Sequence, residues 1–187
     1  TATYDCEDPQ YYSIDLQVLD PVYGYRIYYS MVAMPQDDEA EWELTNKPYF
    51  MSPGIYPVYF KIVAPHYATV YGQETVTINA ATMQFASTAP QVHNYDGFAH
   101  YLDVQLLNNI PSYATFYYAE VSPTDYGNLS SEAIDNLSYT TAIPSRTEIG
   151  SSYYYVKVVA RNFTTISDMF ILTVEDQGIG QGIGIMN

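Results

Sequence analysis

The chain has 187 residues, 21 acidic and 6 basic, for a formal charge of −15. So few cations argue against a nucleic-acid partner, whose phosphates are held through Lys and Arg, and against an anionic membrane surface. With 48% hydrophobic residues and 22 tyrosines, disorder is not expected, because this much apolar surface can offset the entropy of ordering.

In chain order, Thr1-Ala2-Thr3 leaves little room for a strand before Tyr4-Asp5-Cys6. Cys6 is the only cysteine, so no intrachain disulfide framework exists. Ile14-Asp15-Leu16-Gln17-Val18-Leu19 and Arg26-Ile27-Tyr28-Tyr29-Ser30 read as short β segments, rich in β-branched and aromatic residues. Asp37-Asp38-Glu39-Ala40-Glu41-Trp42-Glu43 packs five acids into seven positions and reads as a loop. In Gly54–Ala64, Tyr56, Val58, Phe60, Ile62 and Ala64 share one face, while Tyr59, Lys61 and Val63 share the other. Glu74–Ile78 follows as its hairpin partner. Ala81–Ser87 predicts a first strand for a second half, then Leu102–Leu107 and Thr115–Ala119. Ser130–Asp135 predicts one short helical turn. Gly150–Ala160 alternates like Gly54–Ala64, and Phe170–Val174 closes the half. No run reaches the roughly 18–20 apolar residues of a transmembrane helix. A start at Thr1, without initiator Met or leader, is expected of a processed or excised chain.

These segments repeat. Gly54–Ala64 and Gly150–Ala160 match without a gap, 96 positions apart (150 − 54). Ile14–Leu19 parallels Leu102–Leu107, and Arg26–Ser30 parallels Thr115–Ala119. Tyr4-Asp5-Cys6 parallels Tyr95-Asp96-Gly97, with Cys6 in place of the turn glycine. The reading is all-β: two tandem antiparallel β-sandwich domains, residues 1–79 and 80–176, with a tail at 177–187. The first domain lacks an obvious first strand. The tail alternates Gly178, Gly180, Gly182 and Gly184 with Ile179, Gln181, Ile183 and Ile185, so an extended segment carries three isoleucines on one face and bare glycine on the other.

Several phrases carry a family resemblance. They are Ile78-Asn79-Ala80-Ala81-Thr82-Met83 followed by Tyr95-Asp96-Gly97-Phe98-Ala99-His100, the pair Tyr29-Ser30, and the strand from Gly54 to Lys61. The turns His66-Tyr67 and Asn162-Phe163, and the strand Thr75–Ile78, complete the set. Together they resemble the tandem immunoglobulin-like repeats of large cell-surface proteins of Gram-positive and gut bacteria. The resemblance implies two tandem immunoglobulin-like domains at the cell surface, and it is specific for fold rather than role.

Chemistry is sparse. His66, His93 and His100 show no metal-ligand spacing, and neither a nucleophile elbow nor a dinucleotide fingerprint is present, so no catalytic residue and no cofactor site is expected. Asp37, Asp38 and Glu39 are the weak candidates for a Ca²⁺ site, against the reading of a solvated acidic loop. Ile179, Ile183 and Ile185 are the assembly candidates. Tyr28, Trp42 and Tyr117 are the ligand-contact candidates, since tyrosine doublets must place one ring outside the core.

The expected function is that of an extracellular, non-enzymatic structural or adhesive protein, a stalk segment or filament subunit. It would assemble head-to-tail by donating its tail as a strand to the incomplete domain of the next copy. The expected partners are copies of itself or neighbouring repeat domains. The alternative is a carbohydrate- or protein-binding module holding glycans or host proteins through exposed Tyr and Trp. Asn128, Asn136 and Asn162 stand in glycosylation sequons.

Overall fold

The computed structural model describes residues 1–5, 10–21, 23–32, 42, 46–107 and 112–176. The described chain is almost entirely β, with a single five-residue helix, α1 (Ser131–Asp135). Ser130 caps that helix by accepting from the Ala133 amide, at the segment where one short turn was expected. The chain divides into two compact units, Thr1–Ala81 and Thr82–Asn187.

The first unit contains β1 (Ala2–Thr3), β2 (Arg26–Ser30), β3 (Gly54–Val63) and β4 (Val70–Asn79), in the sheet order β1-β4-β3-β2. The strands β2, β3 and β4 are antiparallel, whereas β1 joins β4 in parallel. Tyr12 and Phe50 form an isolated bridge in the facing layer. Ile14, Tyr29, Val58, Val76 and Ile78 are buried between, with Leu16, Phe50, Tyr56 and Phe60 packed around them. Phe60 lies across the face of β4 at Gly72, where any side chain would collide with its ring. Glycine in the strand therefore makes room for a large neighbour.

The second unit contains β5 (Ala81–Thr82), β6 (Gln84–Phe85), β7 (Gln91–Asn94), β8 (His100–Tyr101), β9 (Leu106–Leu107), β10 (Thr115–Val121), β11 (Ser145–Arg146), β12 (Gly150–Val159), β13 (Phe163–Thr164) and β14 (Ile166–Glu175). Its main sheet runs β10-β12-β14-β7, and β7 joins β14 in parallel. The facing layer is made by β6 on β9 and β11 on β8. Leu102, Tyr118, Tyr154, Val156, Val158, Phe170 and Leu172 are buried between the layers. Phe170 and Leu172 are fully enclosed, each contributing roughly 1.5–3 kcal/mol by burial.

The two units share their register. Gly54 faces Ile78 and Gly150 faces Val174, both partners displaced by 96. Tyr28 pairs with Lys61 as Tyr117 pairs with Lys157. The Tyr12–Phe50 bridge corresponds to His100–Arg146. The Tyr4 amide donates to the Asn79 carbonyl at 2.8 Å, as Tyr95 does to Glu175 at 2.8 Å. After each hairpin strand the chain turns through a left-handed residue, His66 (φ 68°) and Asn162 (φ 69°). His and Asn are among the side chains that tolerate this conformation best.

Candidate functional site

Among the described residues, the first unit has no strand in the place that β6 takes in the second. In the second unit, β6 pairs antiparallel with β9, Gln84 opposite Leu107 and Phe85 opposite Leu106. Met83 is buried, and Phe85 meets the Phe170 ring edge-on at 5.1 Å. In the first unit the counterparts of Leu106 and Leu107 are Val18 and Leu19, and no described strand pairs with them. Leu19 is 83% exposed.

A cavity of about 420 Å³ opens beside this stretch, lined by Val18, Leu19, Ile62, Ala64, Tyr67 and Val70. Five of their counterparts, Leu106, Val158, Ala160, Phe163 and Ile166, belong to the core that contains Met83 and Phe85. In place of that packing, Val70 is 54% and Tyr67 49% exposed. The Tyr67 hydroxyl closes one end by donating to Asp20 Oδ1 at 3.0 Å. A second cavity, about 370 Å³, lies in the same unit against Tyr12, Ile14, Glu74 and Val76. An unpaired edge beside apolar surface is a template for another strand.

Glu74 is the unusual residue there. Its place in β4 has the same parity as Val76 and Ile78, and it pairs with the buried Val58. The repeat aligns it with Phe170, the fully buried ring that receives Phe85. Glu74 is exposed.

The ligand-contact candidates sit on the opposite face of the main sheets. Trp42 is only 3% exposed. Its ring covers the Lys61 ammonium at 5.4 Å, and Tyr28 flanks the same ammonium at 5.2 Å. Trp42 also lies 5.9 Å from Tyr71, and its indole N–H has no hydrogen-bond partner among the described residues. Trp42 is thus a lid over a lysine and presents no free ring to a glycan. Tyr28 and Tyr117 are half-buried. The corresponding lysine of the second unit, Lys157, is covered differently. Tyr139 lies 4.3 Å beneath its ammonium, and Asp135 of α1 is 3.5 Å away. Desolvation by burial, then the nearby Asp135 charge, raises the pKa of Tyr139.

Exposed rings occur elsewhere. Tyr11 and Tyr49, 68% and 61% exposed, meet edge-to-face at 6.2 Å. His93 and His100 stack at 4.6 Å, and His100 Nε2 is 3.1 Å from Asp96 Oδ1. The Phe98 amide, first, and then the His100 imidazole hold the Asp96 carboxyl below its ordinary pKa. Among the described residues, no three His, Cys, Asp or Glu side chains are grouped to hold a metal ion, and no helix is long and apolar enough to cross a membrane. Asp37, Asp38 and Glu39 lie outside the described residues, as do Ile179, Ile183 and Ile185.

The Val18–Leu19 edge was accessible to sequence comparison, but only by combining two offsets. Val18 and Leu19 align with Leu106 and Leu107 at 88, and Glu74 aligns with Phe170 at 96. Nothing local marks them, and Tyr11 and Tyr49 carry no signal until the Tyr12–Phe50 bridge places them side by side.

No family model and no curated protein matches the chain. Among solved structures, it is similar to the human Desmocollin-1 ectodomain at 11% identity and a TM-score of 0.31. That alignment covers 94% of this chain, which spans 40% of the other.

Proposed function

We propose that the protein is an extracellular structural subunit of two tandem immunoglobulin-like domains, a stalk segment or filament subunit, that assembles head-to-tail by strand addition. The observation that carries this reading is the Val18–Leu19 edge, which no described strand pairs, at the place that β6 fills in the second unit. The Gly/Ile segment at 177–187 supplies a strand of suitable pattern, apolar on one face and bare on the other. A heterologous contact of this kind does not close on itself and propagates. The glycan-binding alternative draws support from the Tyr11–Tyr49 pair, since exposed rings stack on sugars.

Sedimentation velocity of the full chain and of a chain lacking residues 177–187 tests the assembly reading. The full chain is expected to give concentration-dependent oligomers, and the shortened chain a single folded monomer. Equal assembly of the two sinks strand addition by this segment. Glycan binding lost on Tyr11→Ala and Tyr49→Ala, in a chain that remains monomeric, favours the alternative.

A further inference from the structure

With one cysteine the chain cannot brace itself by an intrachain disulfide, but its surface is rich in phenols. We propose that Tyr11 and Tyr49 are a site of oxidative coupling, joined by a carbon–carbon bond between their ortho positions when a one-electron oxidant, such as a haem peroxidase with hydrogen peroxide, acts on the first unit. Such coupling requires neither assembly nor a glycan.

The backbone sets the pair. Tyr12 and Phe50 exchange both amide–carbonyl hydrogen bonds, each 2.8 Å, across their antiparallel bridge. Their side chains turn inward and pack on the core of the first unit. Neighbours along an extended chain point to the opposite face, so Tyr11 and Tyr49 turn outward together. Across the bridge they stand on a diagonal, a separation that aromatic side chains span. The rings meet edge-to-face with 6.2 Å between centroids, and they are 68% and 61% exposed.

The edge of a tyrosine ring carries its ortho carbons. Exposed side chains rotate in picoseconds to nanoseconds, so the two edges come to face each other readily. Each phenol gives up one electron and one proton to the oxidant. The two phenoxyl radicals join through their ortho carbons, and the hydrogens on those carbons move to the oxygens and restore both phenols. Two hydrogen atoms leave in all, and one peroxide is reduced to two waters. Held side by side, the rings react with each other ahead of a second molecule in dilute solution. A second tyrosine pair, Tyr126 and Tyr153, lies 5.1 Å apart but is half-buried. Burial, then the nearby Asp168 charge, raises the pKa of Tyr126, so its proton leaves less readily. A bond between Tyr11 and Tyr49 closes a loop of 38 positions (49 − 11) that contains β2, as a disulfide would.

Treating the full chain, at low micromolar concentration, with hydrogen peroxide and a haem peroxidase tests the assignment. The expected product has monomer size, is lighter by two hydrogen atoms, fluoresces as dityrosine and yields a cross-linked peptide containing Tyr11 and Tyr49. Tyr11→Phe and Tyr49→Phe, which keep the rings, are each expected to lower the dityrosine fluorescence of the monomer by about fivefold or more, since each removes a phenol already in place. Tyr126→Phe is expected to leave it unchanged. Coupling is expected to raise the thermal midpoint of Trp42 emission by about 5–10 °C, because it restricts the unfolded first unit. Coupling that maps to Tyr126 and Tyr153, that forms only between copies, or that survives Tyr11→Phe overturns the assignment, as does a chain that yields no dityrosine. A coupled chain with an unchanged midpoint overturns the bracing role.

Discussion

Replacing Phe85 by Ala should open a void in the core of the second unit. Phe85 is partly buried, packed on the core and edge-on to Phe170 at 5.1 Å. A fully buried Phe→Ala change costs roughly 3–5 kcal/mol. Partial burial brings this to about 2–3 kcal/mol, the aromatic contact included. With a urea dependence of about 1.5 kcal/mol per M for a unit of this size, the midpoint should fall by about 1.3–2 M. The single tryptophan makes the assay specific, because Trp42 lies in the first unit and is buried against Lys61 and Tyr71. Its emission reports that unit, whereas far-ultraviolet circular dichroism reports both. The expected result, at low protein concentration, is an early phase in dichroism with no shift in Trp42 emission. An unchanged dichroism curve refutes the view that the Phe85 slot is a filled core position. An equal shift in Trp42 emission refutes the view that its effect is confined to the second unit.

Trp42→Ala should destabilise the first unit by about 3 kcal/mol, seen as a lower midpoint in dichroism, since it uncovers Lys61 and removes a buried ring. Gly72→Val should cost about 1–3 kcal/mol, because its side chain meets the Phe60 ring; combining it with Phe60→Ala should give less than the sum of the two losses. Burial raises the pKa of Tyr29, Tyr118, Tyr126, Tyr139 and Tyr154. Their neutral forms therefore stabilise the fold fully below about pH 10, the ordinary tyrosine value, and that contribution is lost as pH rises through the raised values. Melting temperatures should hold to about pH 10 and then fall, and Tyr154→Phe and Tyr118→Phe should flatten the fall.

Much of the main sheets was legible in the sequence because a strand repeats every two residues and the chain repeats its strands. The alternation of Tyr56, Val58, Phe60 and Ile62 gave one inward face, and Val58 is fully buried. The 96-residue offset reappears as hydrogen-bond register and as the paired left-handed turns at His66 and Asn162. Contacts between segments distant in sequence were not legible. Trp42 read as an exposed ring in an acidic loop, yet Lys61 draws it down onto the sheet. The equivalent Lys157 takes Tyr139 and Asp135 from an unrelated stretch, so the repeat itself gave no warning. The site in the first unit was half legible. The repeat aligns Val18 with Leu106 and Glu74 with Phe170, but that Glu74 lies opposite the buried Val58 emerged only when β4 was paired with β3.

The parallel edge strands have a mechanical consequence. In the second unit β7 lies beside β14, so pulling backward on the start of β7 and forward on the end of β14 slides one along the other. Four residue pairs, Gln91–Leu172 to Asn94–Glu175, then bear the load together as a shear clamp and do not open one at a time like a zip. In the first unit the same clamp has two described pairs, Ala2–Ile78 and Thr3–Asn79. Under tension along the chain, single-molecule pulling of the second unit should record one force peak as the four β7–β14 pairs shear together.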